Sequence, residues 1–290
     1  MLNYYEQKKA RKKENKKGKG IFNKVILKQQ FMENYKSLLT MTLIVASLMV
    51  LVLVLYPVVE AMFEGLDPEL IEMLSLFGGV PENIAEFFAV EAGQIYVLVG
   101  AVYAAILGVN LIRKEVASGS SEFLYSQPIK KSTIFRSKLM VLIINLLIFN
   151  ILITGISLAT IYIVQGEFAF NVLYFLQYSL AALLIHLQTG ILLFAVTAIF
   201  KKSATIGLGI GYAVFSYFIA FIAQIASEVE FLKHITPFSY IFTTNANNEG
   251  TSLIRDGFSV ISTPTLIGIS IVVIAALIYS HRYFRKNDIV

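Results

Sequence analysis

The chain has 290 residues, 57% of them hydrophobic and only 15% charged, and a mean hydropathy of +0.71. That balance excludes an ordinary water-soluble domain and indicates an integral membrane protein. No cysteine is present, which removes disulfides, thiolate metal sites and cysteine nucleophiles, and the net charge of +5 matters chiefly through where the charges sit.

Residues 1–20 hold eight Lys and Arg against Glu6 and Glu14, with almost nothing to build a core. A disordered basic tail is expected, adhering to anionic lipid headgroups rather than to nucleic acid. No apolar stretch follows in the manner of a cleaved signal peptide. Residues 21–37 are weakly amphipathic: Phe22, Val25, Ile26 and Met32 share a helical side, and Lys24, Lys28 and Lys36 lie off it. An interfacial helix is expected there, leading into the first span.

Leu38–Val59 is uncharged for long enough to cross a hydrocarbon core of about 30 Å. Residues 60–91 then carry acids and no Lys or Arg, with a short amphipathic helix expected near 68–77, closed by Gly78-Gly79. Further spans are expected at Gly93–Ile112, Leu139–Gln165, within Phe168–Phe200, at Ser203–Ser227 and at Phe258–Ser280. Residues 228–257 form a mixed segment with Pro237 and an Asn-rich stretch, readable as re-entrant where protein covers its backbone. With both termini cytoplasmic, every Lys and Arg except Lys233 and Arg255 falls on the inner side. The positive-inside rule therefore fixes the orientation. The expected fold is an all-α membrane protein of six transmembrane helices over 38–290.

Between the second and third spans, Arg113–Lys138 forms a polar loop with six basic residues. Ser118 is placed to cap a short helix, Phe123, Leu124 and Tyr125 supply an apolar edge, and Pro128 stops it. The bland reading is an ordinary positive-inside loop. The wording goes further: an acid at Glu115, then Ser118, Gly119, Glu122, Phe123, Leu124, Tyr125, Ser126, Pro128, Ile129, a basic patch and Lys138. This order resembles the first cytoplasmic loop of ABC-2-type transporter permeases of bacterial exporters. The segment Leu232–Tyr240, with its Pro-x-x-Tyr phrase, and the basic ending His281–Val290 also resemble that family.

The resemblance implies a coupling helix at the loop, with Glu115, Ser118, Gly119, Glu122, Phe123, Leu124, Tyr125 and Pro128 against a cytosolic ABC ATPase. It also implies a second permease copy or homologue, and a place in the bacterial cytoplasmic membrane. ATP and magnesium would sit on the partner. This chain would bind no cofactor or metal and catalyse nothing itself.

The sequence lacks Gly-x-x-x-x-Gly-Lys-Ser/Thr, so it has no phosphate-cradling loop of its own. No His-Glu-x-x-His motif and no His–carboxylate cluster within a span points to a metal site. Polar residues inside the spans are few. Asn145, Asn150, His186 and Gln188 are candidates for lining a pathway, although such amides and a neutral His more often make interhelical hydrogen bonds. Gly207-Leu-Gly-Ile-Gly211 suits close helix packing. An exporter of a hydrophobic or amphipathic peptide, lipid or drug is the leading reading. A secondary transporter, or a scaffold or sensory subunit with an acidic outer loop, stays open at this point.

Overall fold

A computed structural model describes residues 21–63, 65–67, 69–71, 80–119, 129–242 and 252–287. Among these, all regular structure is helical, and six helices are long and apolar enough to cross a membrane. They are α1 (Lys24–Val54), α2 (Ile84–Ala117), α3 (Lys131–Gln165), α4 (Val172–Phe200), α5 (Ile206–Ile225) and α6 (Thr263–Lys286). One end of the bundle gathers Lys24, Lys28, Lys114, Lys131 and Arg285, and the other gathers Glu60, Glu82, Glu86 and Glu167. These are called the basic and acidic ends below.

Most helices begin on a side-chain cap, as their unpaired N-terminal N–H groups require. Asn23, Asn83, Asn171 and Thr205 accept backbone N–H groups in the first turns of α1, α2, α4 and α5. Gly166, at φ 79°, closes α3 in the left-handed conformation.

Several boundaries differ from expectation, with α2 and α3 starting at Ile84 and Lys131 rather than at Gly93 and Leu139. The 31 residues of α1 run without a break from Lys24 to Val54. The segment 21–37, expected as an interfacial helix leading into the first span, is continuous with that span from Lys24 onward. Its charges are spaced widely enough to stay on exposed sides, so nothing local stops the helix. A short helix, Tyr56–Phe63, follows α1. The sixth span starts at Thr263 rather than Phe258, since residues 257–260 form a 3-10 turn and Pro264 favours the first turn of a new helix. The helix expected near 68–77 falls largely outside the described residues.

The core lies between α2 and α4, the two most buried helices, while α5 and α6 are the least buried. Glycines let α2 and α4 approach closely. A methyl group on Gly108 would stand 2.4 Å from the Gly190 carbonyl oxygen, and one on Gly100 2.4 Å from the His186 ring. Ala101, Ala104, Ala105, Ala181 and Ala182 complete a buried small-residue seam. Packing of small residues drives helix association where lipid removes any hydrophobic incentive. Of the Gly207–Gly211 stretch, only Gly209 meets α2, facing Val109 and Ala105; Gly211 faces open space. Outward, α1, α3, α5 and α6 present Leu43, Ile163, Phe215 and Ile271 among many exposed apolar side chains. Such a band suits lipid contact and marks a multi-pass membrane protein.

After α5 the chain turns back as two 3-10 segments, Ser227–Ile235 and Pro237–Tyr240. Thr236 Oγ1 donates to the Ser216 carbonyl at 2.9 Å. Ser216 lies about 14 Å along α5 from its end, at 1.5 Å per residue. The segment therefore re-enters the bundle. Tyr240 Oη donates to Gln188 Oε1 at 3.0 Å, and Gln188 Nε2 donates to Ser270 Oγ at 3.1 Å, joining the re-entrant turn to α4 and α6.

Candidate functional site

The polar loop hangs from the last turn of α2 and the first turns of α3. α2 ends on Ser118, whose N–H donates to the Lys114 carbonyl, and Gly119 follows at φ 72°. A left-handed glycine just past a helix end is the conformation that only glycine adopts at little cost. Ser118 Oγ donates back to the Glu115 carbonyl at 3.3 Å, a bond within the end of α2. Glu122, Phe123, Leu124, Tyr125 and Pro128 lie outside the described residues.

At the root of the loop, Lys138 of α3 is fully buried and places Nζ 2.5 Å from Glu115 Oε2 on α2. It also donates to the Leu111 carbonyl at 2.6 Å. Glu115 Oε1 accepts from Gln30 Nε2 of α1 at 3.0 Å. The Asn23 N–H, at the start of α1, donates to Ser137 Oγ at 2.9 Å. A buried ammonium needs an opposite charge and hydrogen-bond acceptors, and this one has the Glu115 carboxylate and the Leu111 carbonyl. The two roots of the loop are thus tied to each other and to α1.

The other side of α3 is held by the end of α6. Lys131 Nζ donates to the Asn287 carbonyl at 3.1 Å, and Ser132 Oγ lies 2.7 Å from His281 Nε2. Phe135 packs its ring on Phe284 and His281, with centroids 5.3 and 5.1 Å away. Load applied to the loop would therefore reach α1, α2, α3 and α6 through polar contacts and ring packing.

The four candidate pathway residues sit inside the subunit. Asn145 Nδ2 donates to the Val141 carbonyl of its own helix at 2.8 Å. Asn150 Nδ2 pairs with Tyr96 Oη and donates to the Ser179 carbonyl at 2.8 Å, linking α3 to α2 and α4. His186 Nε2 lies 3.1 Å from the Val97 carbonyl, with its ring edge-on to Tyr96 at 5.3 Å. Gln188 alone borders a cleft, of about 230 Å³, together with Tyr212, His234, Pro237 and Val272.

Sequence reasoning placed Lys138 in the loop as a topology cation and Arg255 outside as an exception. It missed that each closes an ion pair with an acid on another helix, fully buried at Lys138 and part-buried at Arg255. The available signal was that Glu115 and Lys138 are opposite charges flanking one loop.

A family model described as ABC-2 family transporter protein matches residues 21–289, nearly the whole chain. The chain belongs to the ABC-2 transporter permease family. No curated protein matches it. As an ABC-2 permease it is a membrane component of an ABC transporter, and permeases of this family are generally non-catalytic. Permeases of this family generally work with a cytosolic ABC ATPase. Family membership sets aside the secondary-transporter and scaffold readings, and the matched region begins after the basic tail.

Proposed function

We propose that this permease forms the membrane pathway of a bacterial exporter, pairing with a second copy or a homologue above two cytosolic ATPases. Both termini and the loop 113–138 lie in the cytosol in this reading, in the bacterial cytoplasmic membrane. ATP and magnesium act on the ATPases. The loop, with Glu115, Ser118, Gly119, Glu122, Phe123, Leu124, Tyr125 and Pro128, rests on an ATPase and receives its closing motion. The observation that carries this reading is the buried Lys138–Glu115 pair, which binds both roots of the loop to α1. A loop rooted this way passes a push to helices instead of absorbing it, as a switching transition needs.

A pathway touching Asn145, Asn150, His186 and Gln188 requires α3 and α4 to part from their neighbours. Gln188, at the cleft, is the one placed for contact without that movement. The mostly apolar spans favour a hydrophobic or amphipathic cargo: a peptide, a lipid or a drug.

The test is purification of the tagged chain from its native membrane in mild detergent, with identification of what accompanies it. A stoichiometric Walker-motif ATPase, lost with Phe123→Asp or Leu124→Asp, supports the coupling reading. A stable complex without any ATPase overturns it.

A further inference from the structure

A groove of about 400 Å³ opens at the basic end between α1 and α3, lined by Lys24, Leu27, Lys28, Phe31, Val141 and Ile144. The α1 members follow the i, i+3, i+4, i+7 spacing of one helical side, so they form a continuous wall. The α3 members are one turn apart. The groove is apolar except at its rim, where Lys24 and Lys28 stand exposed one helical turn apart. Among the described residues neither ammonium has a carboxylate within ion-pair distance, whereas Lys138, Lys233 and Arg255 each do.

The depth of the groove is informative. Lys138 is the last charge on α3 before an uncharged run that continues to the end of the helix. On α1 the charges continue to Glu33 and Lys36, so Leu27, Phe31, Val141 and Ile144 form an apolar trough at the interface, at the edge of the uncharged spans. The two lysines lie where headgroups lie. Two cations over an apolar trough complement a ligand with a negative head and a hydrocarbon tail. The sequence 1–20 carries eight Lys and Arg against two Glu, the same sign of charge as this rim, and so does not complement it.

We propose that this groove is a binding site for one anionic phospholipid, its phosphate between Lys24 and Lys28 and an acyl chain along Leu27, Phe31, Val141 and Ile144. The site is fixed in the fold and differs in kind from diffuse adhesion of the tail. It does not depend on the exporter reading.

The experiment places the full chain in nanodiscs of mixed phosphatidylglycerol and phosphatidylcholine and counts retained lipid by native mass spectrometry. One phosphatidylglycerol per chain is expected to survive delipidation. K24Q/K28Q is expected to weaken that retention roughly 10–30-fold, from about 1 kcal/mol per basic residue at a membrane surface. Ile144→Trp fills the trough without changing charge and is expected to lower retention as well. K201Q/K202Q, at another basic turn, is the control and is expected to leave it intact. Equal loss in the control would mean diffuse electrostatics and overturn the site. Loss of a subunit pair rather than of lipid in K24Q/K28Q would assign the groove to a second copy, and inorganic phosphate competing as well as the lipid would reduce it to a simple anion site. Circular dichroism of each variant separates lost binding from lost folding.

Discussion

Arg255 closes on Glu86 through two parallel bonds, Nε to Oε1 at 2.7 Å and Nη2 to Oε2 at 2.5 Å, although 169 residues separate them. Glu86 is nearly buried and also accepts the Glu82 N–H at 2.9 Å and Asn83 Nδ2 at 3.2 Å. The carboxylate holds the guanidinium pKa above its ordinary value through this hydrogen bonding. The pair pins the segment before α6 onto the start of α2, beside the π-helical turn Phe88–Ala92.

Removing one partner of such a pair costs more than removing both, because the survivor keeps its desolvation penalty. Arg255→Met is expected to destabilise the acidic end by about 1–3 kcal/mol. Glu86→Gln on the same background is expected to recover part of the loss. Thermal unfolding in detergent, run as a double-mutant cycle, reads the coupling. Strict additivity would show that the pair contributes nothing.

At the basic end the expectation is larger, since Lys138 is completely buried. Lys138→Met leaves Glu115 and Gln30 facing an apolar side chain and is expected to cost about 3–5 kcal/mol. K138M with E115Q removes both charges and is expected to fold better than K138M alone. Fluorescence-detected gel filtration after heating distinguishes the two outcomes.

The glycines offer a paired comparison. Gly108→Ala drives a methyl group against the Gly190 backbone, which cannot swing aside, and is expected to cost about 1–3 kcal/mol by overpacking. Gly211→Ala meets nothing within 4 Å and is expected to be neutral or slightly stabilising through helix propensity. Equal melting temperatures for the two variants would contradict the close approach of α2 and α4.

Thr236→Val deletes the bond to the Ser216 carbonyl that holds the re-entrant turn at depth. A loss of about 1 kcal/mol is expected, concentrated locally. Amide hydrogen exchange should accelerate over residues 236–240 while α2 and α4 stay protected.

The spans were legible because each needs a long uncharged run, and composition alone reveals those. Their ends were less legible. A helix does not stop where apolar residues stop, so α1 extends back through Lys36, Lys28 and Lys24 and α6 onward through Arg282 and Arg285. The loop wording pointed to the family and to Glu115 and Lys138 individually. That they touch, and that Gln30 joins them, depends on three helices meeting, which no local pattern encodes. Asn150 and His186 stood out as polar residues in apolar runs, but their partners are a tyrosine and backbone carbonyls on helices distant in sequence.

The seam of α2 and α4 has a mechanical consequence. Side chains between two helices act as a compliant gasket, changing rotamer as one helix slides on the other. At Gly108 and Gly190 there is no gasket, only carbonyl and Cα against each other. Sliding by one turn in one direction would bring Leu111 or Ile112, on the same face as Gly108, onto that carbonyl, so axial slip that way is opposed. The two helices behave as one strut, with Glu115 at one end and Glu86 at the other. A push at the root of the loop would be carried along this strut toward the end where Arg255 is held.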